Sequence, residues 1–409
     1  MRIVFVMIFV VGSVFANSFV DAITSGEKEG DIHLLFDYTS SSPDLNGTKY
    51  QNSAFLATSF GLYYHSAFYG YFRAHIGFRG AIPLIQGSRK SSFQGGRGDA
   101  ARDFWDTNKA MLARSYLEYF DGDTSIRLGR LEDETDALTN HFDGLWVQNK
   151  SLGFLLIDFI WINQQGTVLP RELSGFEKLD TKYGGAYYLG ATLDLLSFLK
   201  LKLYGALTPQ LYSFVGFKVA LDVSHATASA GILTGFEHKN SPFRNKTSLL
   251  FNADIGYKYN IFYAKLGYVR TGSSVGMGSL QVTGNSVTPF FYFSGDALNF
   301  ARNVNLFYGK LGIDANVIQA YLVYGYNTFN KNQYRGVYND LWYSAYGYNT
   351  LNNNLSADNK KYSQGELNLY FDWKTSDATN VIFYLLNTHG GKAAIPNLTQ
   401  TGIAFRLGF

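Results

Sequence analysis

Charged residues of both signs are concentrated between residues 111 and 150 of this 409-residue chain. Three arginines there lead directly into the acidic segment 132–136, Glu-Asp-Glu-Thr-Asp. Opposite charges that face each other across a narrow aqueous gap set up a field that orients dipolar solutes and excludes bulky apolar ones. The alternative is a solvated surface loop whose acids pair weakly with Lys and Arg. We predict that a water-filled gap is narrowed by the side chains of Arg114, Arg127, Arg130, Glu132, Asp133, Glu134 and Asp136.

Enzyme chemistry is not indicated by any motif in the chain. The sequence contains no HExxH, no P-loop and no GxSxG. Its seven histidines form no metal-ligand spacing, and the adjacent pair Ser224-His225 is better explained as a tight turn than as a nucleophile with its base. There is no cysteine, so disulfides and thiol chemistry are excluded. We therefore predict a protein that is not an enzyme and that uses no cofactor or metal.

The segments that carry these charges alternate with a period of two. In residues 68–79, Phe68, Phe72 and Phe78 fall on one face of an extended strand, whereas Arg73 and Arg79 fall on the other. A soluble β-sandwich can alternate in this way. However, separating Arg and His from Phe suits a strand with water on one side and lipid on the other.

Eighteen such segments follow one another, and sixteen is the alternative count. The predicted strands are 31–38, 54–63, 67–78, 111–120, 125–131, 144–150, 153–162, 185–193, 200–207, 212–223, 226–236, 247–258, 261–270, 304–312, 316–326, 364–373, 380–387 and 399–409. Long and short connections take turns between them, and only 208–211 breaks the rhythm. This rhythm is typical of an all-β transmembrane antiparallel barrel with short periplasmic turns and long extracellular loops.

Both ends of the chain agree with this fold class. Residues 1–16 carry one Arg and the unbroken apolar run 3–11, which predicts a signal peptide cleaved after Ala16. We expect residues 17–30 to form a periplasmic lead-in and residues 31–409 to form the outer-membrane barrel. The last strand ends on Phe409, which we interpret as a C-terminal signal for the barrel-assembly machinery.

The composition narrows the range of functions further. The net charge is +3, or +2 after loss of the signal peptide, so no nucleic-acid partner is implied. The chain holds 30 Tyr, 34 Phe and 42 Gly, yet no apolar run of 18 residues. That combination excludes spanning by α-helices and favours strands that face outer-membrane lipids on one side.

Strand parity also predicts which polar residues face the water. Basic residues slightly outnumber acids on that face, which favours anionic solutes such as carboxylates. The alternative is that these positions are polar only because they are wet. The predicted lumen-lining residues are Arg73, His75, Arg79, Tyr116, Glu118, Asp158, Lys200, Lys202, Lys218, Lys265 and Arg406.

One stretch of the sequence resembles a known family. Arg-Ser-Tyr-Leu-Glu-Tyr at 114–119, Gly-Arg at 129–130, Asn-His-Phe-Asp-Gly-Leu at 140–145 and the N-terminal segment 19–33 resemble the major outer-membrane porins of the campylobacter group. The likeness to OprD-type porins is more distant. The resemblance implies an eighteen-stranded barrel, an inward third loop at 132–143, passive diffusion of small hydrophilic solutes and often a trimer.

The chain departs from the OprD-type pattern in one respect. The OprD-type third loop carries prolines, whereas this chain has none between Pro83 and Pro170. We therefore expect a general diffusion pore in the outer membrane of a Gram-negative bacterium. The alternative function is a surface adhesin or structural protein that binds partners through the long loops 271–303 and 327–363.

Overall fold

A computed structural model describes residues 18–41, 53–86, 110–134, 139–170, 172–178, 184–241, 243–277, 302–330, 360–392 and 397–409. The chain begins with a short helix, α1 (Phe19–Thr24), and continues as β-strands. These are β1 (Glu27–Ser41), β2 (Ser53–His65), β3 (Phe72–Gln86), β4 (Ala110–Leu112), β5 (Ser115–Phe120), β6 (Thr124–Glu134), β7 (Thr139–Leu152), β8 (Leu155–Leu169), β9 (Glu172–Lys178), β10 (Ala186–Leu196), β11 (Leu199–Thr208), β12 (Tyr212–Val223), β13 (Ala226–Glu237), β14 (Thr247–Tyr259), β15 (Phe262–Thr271), β16 (Arg302–Asp314), β17 (Ile318–Asn330), β18 (Lys361–Lys374), β19 (Thr379–Lys392) and β20 (Leu398–Gly408).

The strands close into an antiparallel barrel. β1 pairs with β2 on one side and with the last strand, β20, on the other, with Asp31 opposite Gly408. β4 and β5 both pair with β3, so they form one interrupted barrel strand. Among the described residues β9 pairs only with β8. It is not one of the strands that close the barrel, because β10 takes the next place beside β8. The barrel therefore has eighteen strands, and the predicted fold and strand count are confirmed.

Side chains alternate between the two surfaces of the barrel. In β1, Ile32, Leu34 and Phe36 are about 40% exposed on the outer surface. Asp31 and Asp37 on the inner surface are 8% and 1% exposed. Apolar side chains that face outwards suit hydrocarbon, whereas the polar residues face the lumen. Apolar side chains are therefore found in two places: on the outer surface, which suits lipid, and in buried clusters inside the barrel.

Tight turns join the strands at the end of the barrel that carries both termini. The β12–β13 and β14–β15 turns use positive φ at Ser224 and Asn260, as two-residue hairpin loops require. In the β5–β6 turn, the backbone N–H groups of Thr124 and Asp123 donate to the Asp121 carboxylate. These hydrogen bonds hold the pKa of the Asp121 carboxyl below its usual value. The short connections thus hold the barrel register at this end.

The N-terminal boundary differs from the prediction. β1 begins at Glu27 rather than at 31, and the predicted lead-in 17–30 contains α1, whose Ser18 Oγ accepts from Asp21 N–H. Ala22 is buried, and its carbonyl accepts from Ala67 N–H in the β2–β3 turn. Among the described residues no helix combines the length and apolar character needed to cross a membrane. The predicted signal peptide 1–16 lies outside the described residues.

The third predicted strand, 67–78, begins and ends too early. β3 starts at Phe72 because residues 66–71 form the turn, in which Gly70 adopts φ +60. A residue without a Cβ adopts that conformation without strain. β3 continues to Gln86, with Pro83 in its last part. Local alternation extends into the turn, which is why the sequence pattern placed the start there.

The predicted loop 132–143 is largely strand. Glu132 pairs with His141, Asp133 with Asn140 and Glu134 with Thr139, so β6 and β7 extend as a regular hairpin. Residues 135–138 lie outside the described residues, and Asp136 with them. The predicted loop bounds were therefore too wide, because backbone pairing continues beyond the region of clear alternation.

Candidate functional site

A break in the fourth barrel strand positions Arg114. β4 ends at Leu112 and β5 begins at Ser115, and the N–H of the intervening Ala113 donates to Gly77 O. This irregularity inserts one residue, so Met111 and Tyr116 both fall on the inner surface although their numbers differ in parity. The Arg114 guanidinium lies 4.6 Å from the Tyr63 ring centroid, and its Nε lies 3.4 Å from Glu132 Oε2.

Glu118 is the centre of a charged cluster on the inner wall. Its carboxylate accepts from Arg73 Nε, from Arg127 Nε at 2.9 Å and from His75 Nε2 at 3.1 Å. Glu118 is 2% exposed, so it needs these partners to remain charged in a buried position. Arg127 also lies over the Trp146 ring, 4.9 Å from its centroid. Three adjacent barrel strands are thereby linked through one carboxylate.

Arg79, which lies on β3 like Arg73 and His75, forms a second cluster on the inner wall. Its Nη2 donates to Asp31 Oδ2 at 2.7 Å and to Tyr63 Oη at 3.0 Å, and its Nη1 donates to Ser59 Oγ at 3.1 Å. The Arg79 side chain is only 4% exposed. Arg79 was predicted to line the lumen, but it is shielded from water and instead joins the side chains of β1 and β2 to β3. Asp31 also lies 3.1 Å from His33 Nε2.

Arg130 ties the β6–β7 hairpin to its surroundings. It forms a two-point pair with Asp143, with Nε to Oδ1 at 2.7 Å and Nη2 to Oδ2 at 2.9 Å. Its Nη1 donates to Leu112 O at 2.9 Å, and the guanidinium lies over the Phe176 ring. Such bidentate geometry fixes orientation as well as charge.

The end of the β6–β7 hairpin stands inside the lumen. Leu131 and Phe142 on one face belong to a buried cluster that includes inner residues of β10 to β18, such as Tyr188 and Leu306. The opposite face, with Arg130, contacts Phe176 of β9, which packs against a different cluster that contains residues of the β8–β9 hairpin and inner residues of β1, β2, β3 and β20. On that face Glu132 also lies beside Arg114, whose guanidinium lies over Tyr63 of β2. Because its two faces meet different parts of the interior, this hairpin lies inside the barrel. This agrees with the predicted inward third segment.

A second inward element was not predicted. Val168 and Leu173, at the tip of the β8–β9 hairpin, are 3% and 0% exposed and lie in one cluster with Leu35, Phe55 and Ala81. β8 is separated from β2 by several barrel strands, so the hairpin reaches across the lumen. Hydrogen bonding from Val168 N to His141 Nδ1 at 3.3 Å joins it to the β6–β7 hairpin. The two hairpins together narrow the channel.

The arginines differ in their access to water. We call Arg73, Arg79, Arg114, Arg127 and Arg130 the arginine wall. The side chains of Arg73, Arg114 and Arg127 are 34%, 38% and 28% exposed, whereas that of Arg130 is 18% exposed. The carboxylates nearest to the wall are Asp31, Glu118, Glu132 and Asp143. Within the arginine wall, Arg73, Arg114 and Arg127 are the members most accessible to water, and each lies beside a carboxylate.

The remaining predicted lumen residues lie elsewhere on the inner surface. Lys202 and Lys218 are directly opposite each other on β11 and β12. Lys265 lies 2.9 Å from Asp254, and Lys200, with its side chain 61% exposed, lies 3.5 Å from Asp194. The others are Tyr116, stacked on His75, Asp158, which accepts from Gln148 Nε2 at 2.7 Å, and Arg406, opposite His33 and Asn380. Tyr116 lies beside the arginine wall, because its partner His75 also binds Glu118.

Sequence reasoning missed several members of the site. Asp31, His33 and Asp143 all bind predicted residues or each other, yet only their strand parity could have indicated them. The side chains of Asp133 and Glu134 are not among those the structure describes. Glu132 is brought into contact with Arg114, and His141 Nε2 lies 3.7 Å from Glu132 Oε2. We predicted that arginines and acids face each other across a gap, whereas Arg114 and Glu132 form a direct ion pair.

Comparison with solved structures agrees with the barrel class. No family model matches the sequence, and no curated protein matches it. The fold is similar to OccK3 (OpdO) of Pseudomonas aeruginosa, with a TM-score of 0.70, 12% identity, and coverage of 95% of this chain and 97% of that one. OccAB4 of Acinetobacter baumannii matches at a TM-score of 0.68 and 12% identity, covering 94% and 98%. OpdK of Pseudomonas aeruginosa, solved with vanillate, matches at 0.65 and 12%, covering 94% and 98%.

Proposed function

We propose that this protein is an outer-membrane porin through which small hydrophilic solutes and ions diffuse passively. The observation that supports the proposal best is the closed eighteen-stranded barrel with a charged inner wall and two hairpins inside it. A wide barrel becomes selective only where something narrows it. The hairpins supply the narrowing, and Arg73, Arg114 and Arg127 supply the partly exposed cations.

We propose small carboxylates as the preferred class of solute. A guanidinium donates in a fork that fits a carboxylate better than an apolar or cationic group. The solved OpdK barrel was crystallised with vanillate, which is a carboxylate. The near balance of arginines and acids on the wall favours modest selectivity over a dedicated binding site.

We also propose the Gram-negative outer membrane as the location. The barrel class supports that assignment, as does the likeness of the fold to the Pseudomonas aeruginosa and Acinetobacter baumannii barrels. We further propose that the barrel-assembly machinery recognises Phe409. The assembly is either a single barrel or a homotrimer. The adhesin alternative depends on loops whose central parts, 278–301 and 331–359, lie outside the described residues, and no described contact favours it.

Planar-bilayer recording of the purified protein tests the proposal. We expect stable single-channel steps whose current rises linearly with voltage, because the lumen is open and water-filled. Protein denatured by boiling in detergent serves as the control and should give no steps. Refolded barrels that insert without conducting would overturn the porin assignment.

A further inference from the structure

Two histidines converge on the inner wall near the short-turn end of the barrel. His65 ends β2 and is the direct cross-strand partner of His75 on β3. Directly opposed residues point to the same side of the sheet. Their Nδ1 atoms are in contact, and the ring centroids are 4.6 Å apart. The proposed passage of solutes does not involve either of these Nδ1 atoms.

Each ring presents its other nitrogen to a carboxylate. His75 Nε2 lies 3.1 Å from Glu118 Oε2, and His65 Nε2 lies 4.0 Å from Glu29 Oε2. The Glu118 carboxylate favours the His75 tautomer that carries its proton on Nε2 and leaves Nδ1 as a lone pair. Glu29 is too far from His65 for a hydrogen bond and does not fix the His65 tautomer. The two facing Nδ1 atoms therefore share either a proton or a metal ion.

We propose that His65 and His75 bind one divalent transition-metal ion through their Nδ1 atoms. Neutral imidazole is a good ligand for Cu²⁺, Ni²⁺ and Zn²⁺, and among these Cu²⁺ binds most tightly. Bonds of about 2.0 Å to each nitrogen would hold the two atoms about 2.8 Å apart as neighbouring equatorial ligands of Cu²⁺, and about 3.3 Å apart around a tetrahedral ion.

The surroundings of the pair match those of metal-binding histidines. A ligand histidine commonly donates its second N–H to a carboxylate, which orients the ring and raises its basicity. Glu118 occupies that place for His75, and the Tyr116 ring is stacked on the same imidazole at 4.3 Å between centroids. No group of three or more His, Cys, Asp or Glu in the described part of the chain forms a metal cage. The proposed site thus has two protein ligands among the described residues, and its remaining positions are assigned to water.

Copper titration of the untagged, folded barrel in detergent tests the proposal. We expect one Cu²⁺ per barrel whose electron paramagnetic resonance spectrum shows hyperfine splitting from two equatorial nitrogens. His65→Gln and His75→Gln should each abolish the two-nitrogen signal. His33→Gln is the matched control: His33 also lies on the inner wall beside a carboxylate, Asp31, but its cross-strand neighbours are Ser59 and Arg406.

The outcomes separate metal binding from a shared proton. A wild-type barrel without the two-nitrogen signal has only a proton between the rings, and the proposal is overturned. Persistence of the signal in His65→Gln would overturn it equally. Because His75→Gln removes a partner of buried Glu118, folding of each variant is checked by its heat-dependent gel mobility. His65, at the end of β2, decides the matter if His75→Gln does not fold.

Discussion

Arg114 Nε lies 3.4 Å from Glu132 Oε2, which joins the break in the fourth barrel strand to the inward end of β6. The two side chains are 38% and 43% exposed, so their pairing adds little to stability. Its importance lies in position: Arg114 is the most exposed member of the arginine wall, and its negative partner is carried by a hairpin that occupies the lumen.

Replacing Arg114 should weaken the interaction with carboxylate solutes. Arg114→Ala removes a partly exposed guanidinium, so benzoate should block chloride current less in this variant than in the wild type. Current block is measured in a planar bilayer as benzoate is added. Lys200→Ala is the matched control, because it removes the same charge from a residue 61% exposed and outside the arginine wall. Equal loss of block in both variants would contradict a specific role for Arg114.

Glu118→Gln should destabilise the barrel. Glu118 is buried and pairs with Arg73, His75 and Arg127, and removal of the negative charge leaves cations without compensation. We expect a loss of about 3 kcal/mol, at the low end for a broken buried pair since both arginines reach water. The temperature at which the folded gel band is lost measures this. Glu29→Gln, at a side chain 58% exposed, should leave that temperature unchanged.

Leu173→Arg should widen the channel. Leu173 is fully buried where the β8–β9 hairpin meets the opposite wall, and a charge there is expensive to bury. The hairpin should leave the wall, and single-channel conductance should rise. Leu169→Arg places the same charge on a 40% exposed position of the same hairpin and should keep wild-type conductance. Unchanged conductance in a folded Leu173→Arg barrel would show that the hairpin does not narrow the path.

Phe409→Ala should lower the amount of assembled barrel. The Phe409 backbone exchanges two hydrogen bonds with Gly30, at 2.7 and 2.9 Å, and its ring occupies the space beside Gly30 that a Cβ would fill. The substitution keeps the backbone bonds and removes only the ring. Membrane fractionation measures the yield, with Phe405→Ala, another exposed outer residue of β20, as control. Equal yields of the two variants would show that the terminal ring carries no special signal.

Alternation predicted the barrel well because its cause is simple. A regular barrel strand places one side chain on the outer surface and the next on the inner surface, so a pattern such as Ile32, Leu34 and Phe36 is visible without tertiary information. Each of the eighteen predicted segments corresponds to a barrel strand. Strand ends were less predictable, because pairing partners extend β1 to Glu27 and β3 to Gln86 beyond the periodic region.

The site was less predictable because irregularities reset the parity. The break at Ala113 and Arg114 changes which residues of the fourth barrel strand share a face. The β8–β9 hairpin crosses the lumen through contacts between residues far apart in the sequence, such as Leu173 and Leu35. His65 and His75 showed no ligand spacing, since only the hairpin register places them opposite each other.

The reversal potential in a salt gradient measures whether the arginine wall selects ions by charge. We expect a modest anion preference for the wild-type pore, because partly exposed arginines lie where the two hairpins narrow the lumen. Arg114→Ala combined with Arg127→Ala should shift the potential towards cation preference, whereas Lys200→Ala should shift it much less. Identical reversal potentials for the wild type and the double variant would show that these arginines do not set the ion selectivity.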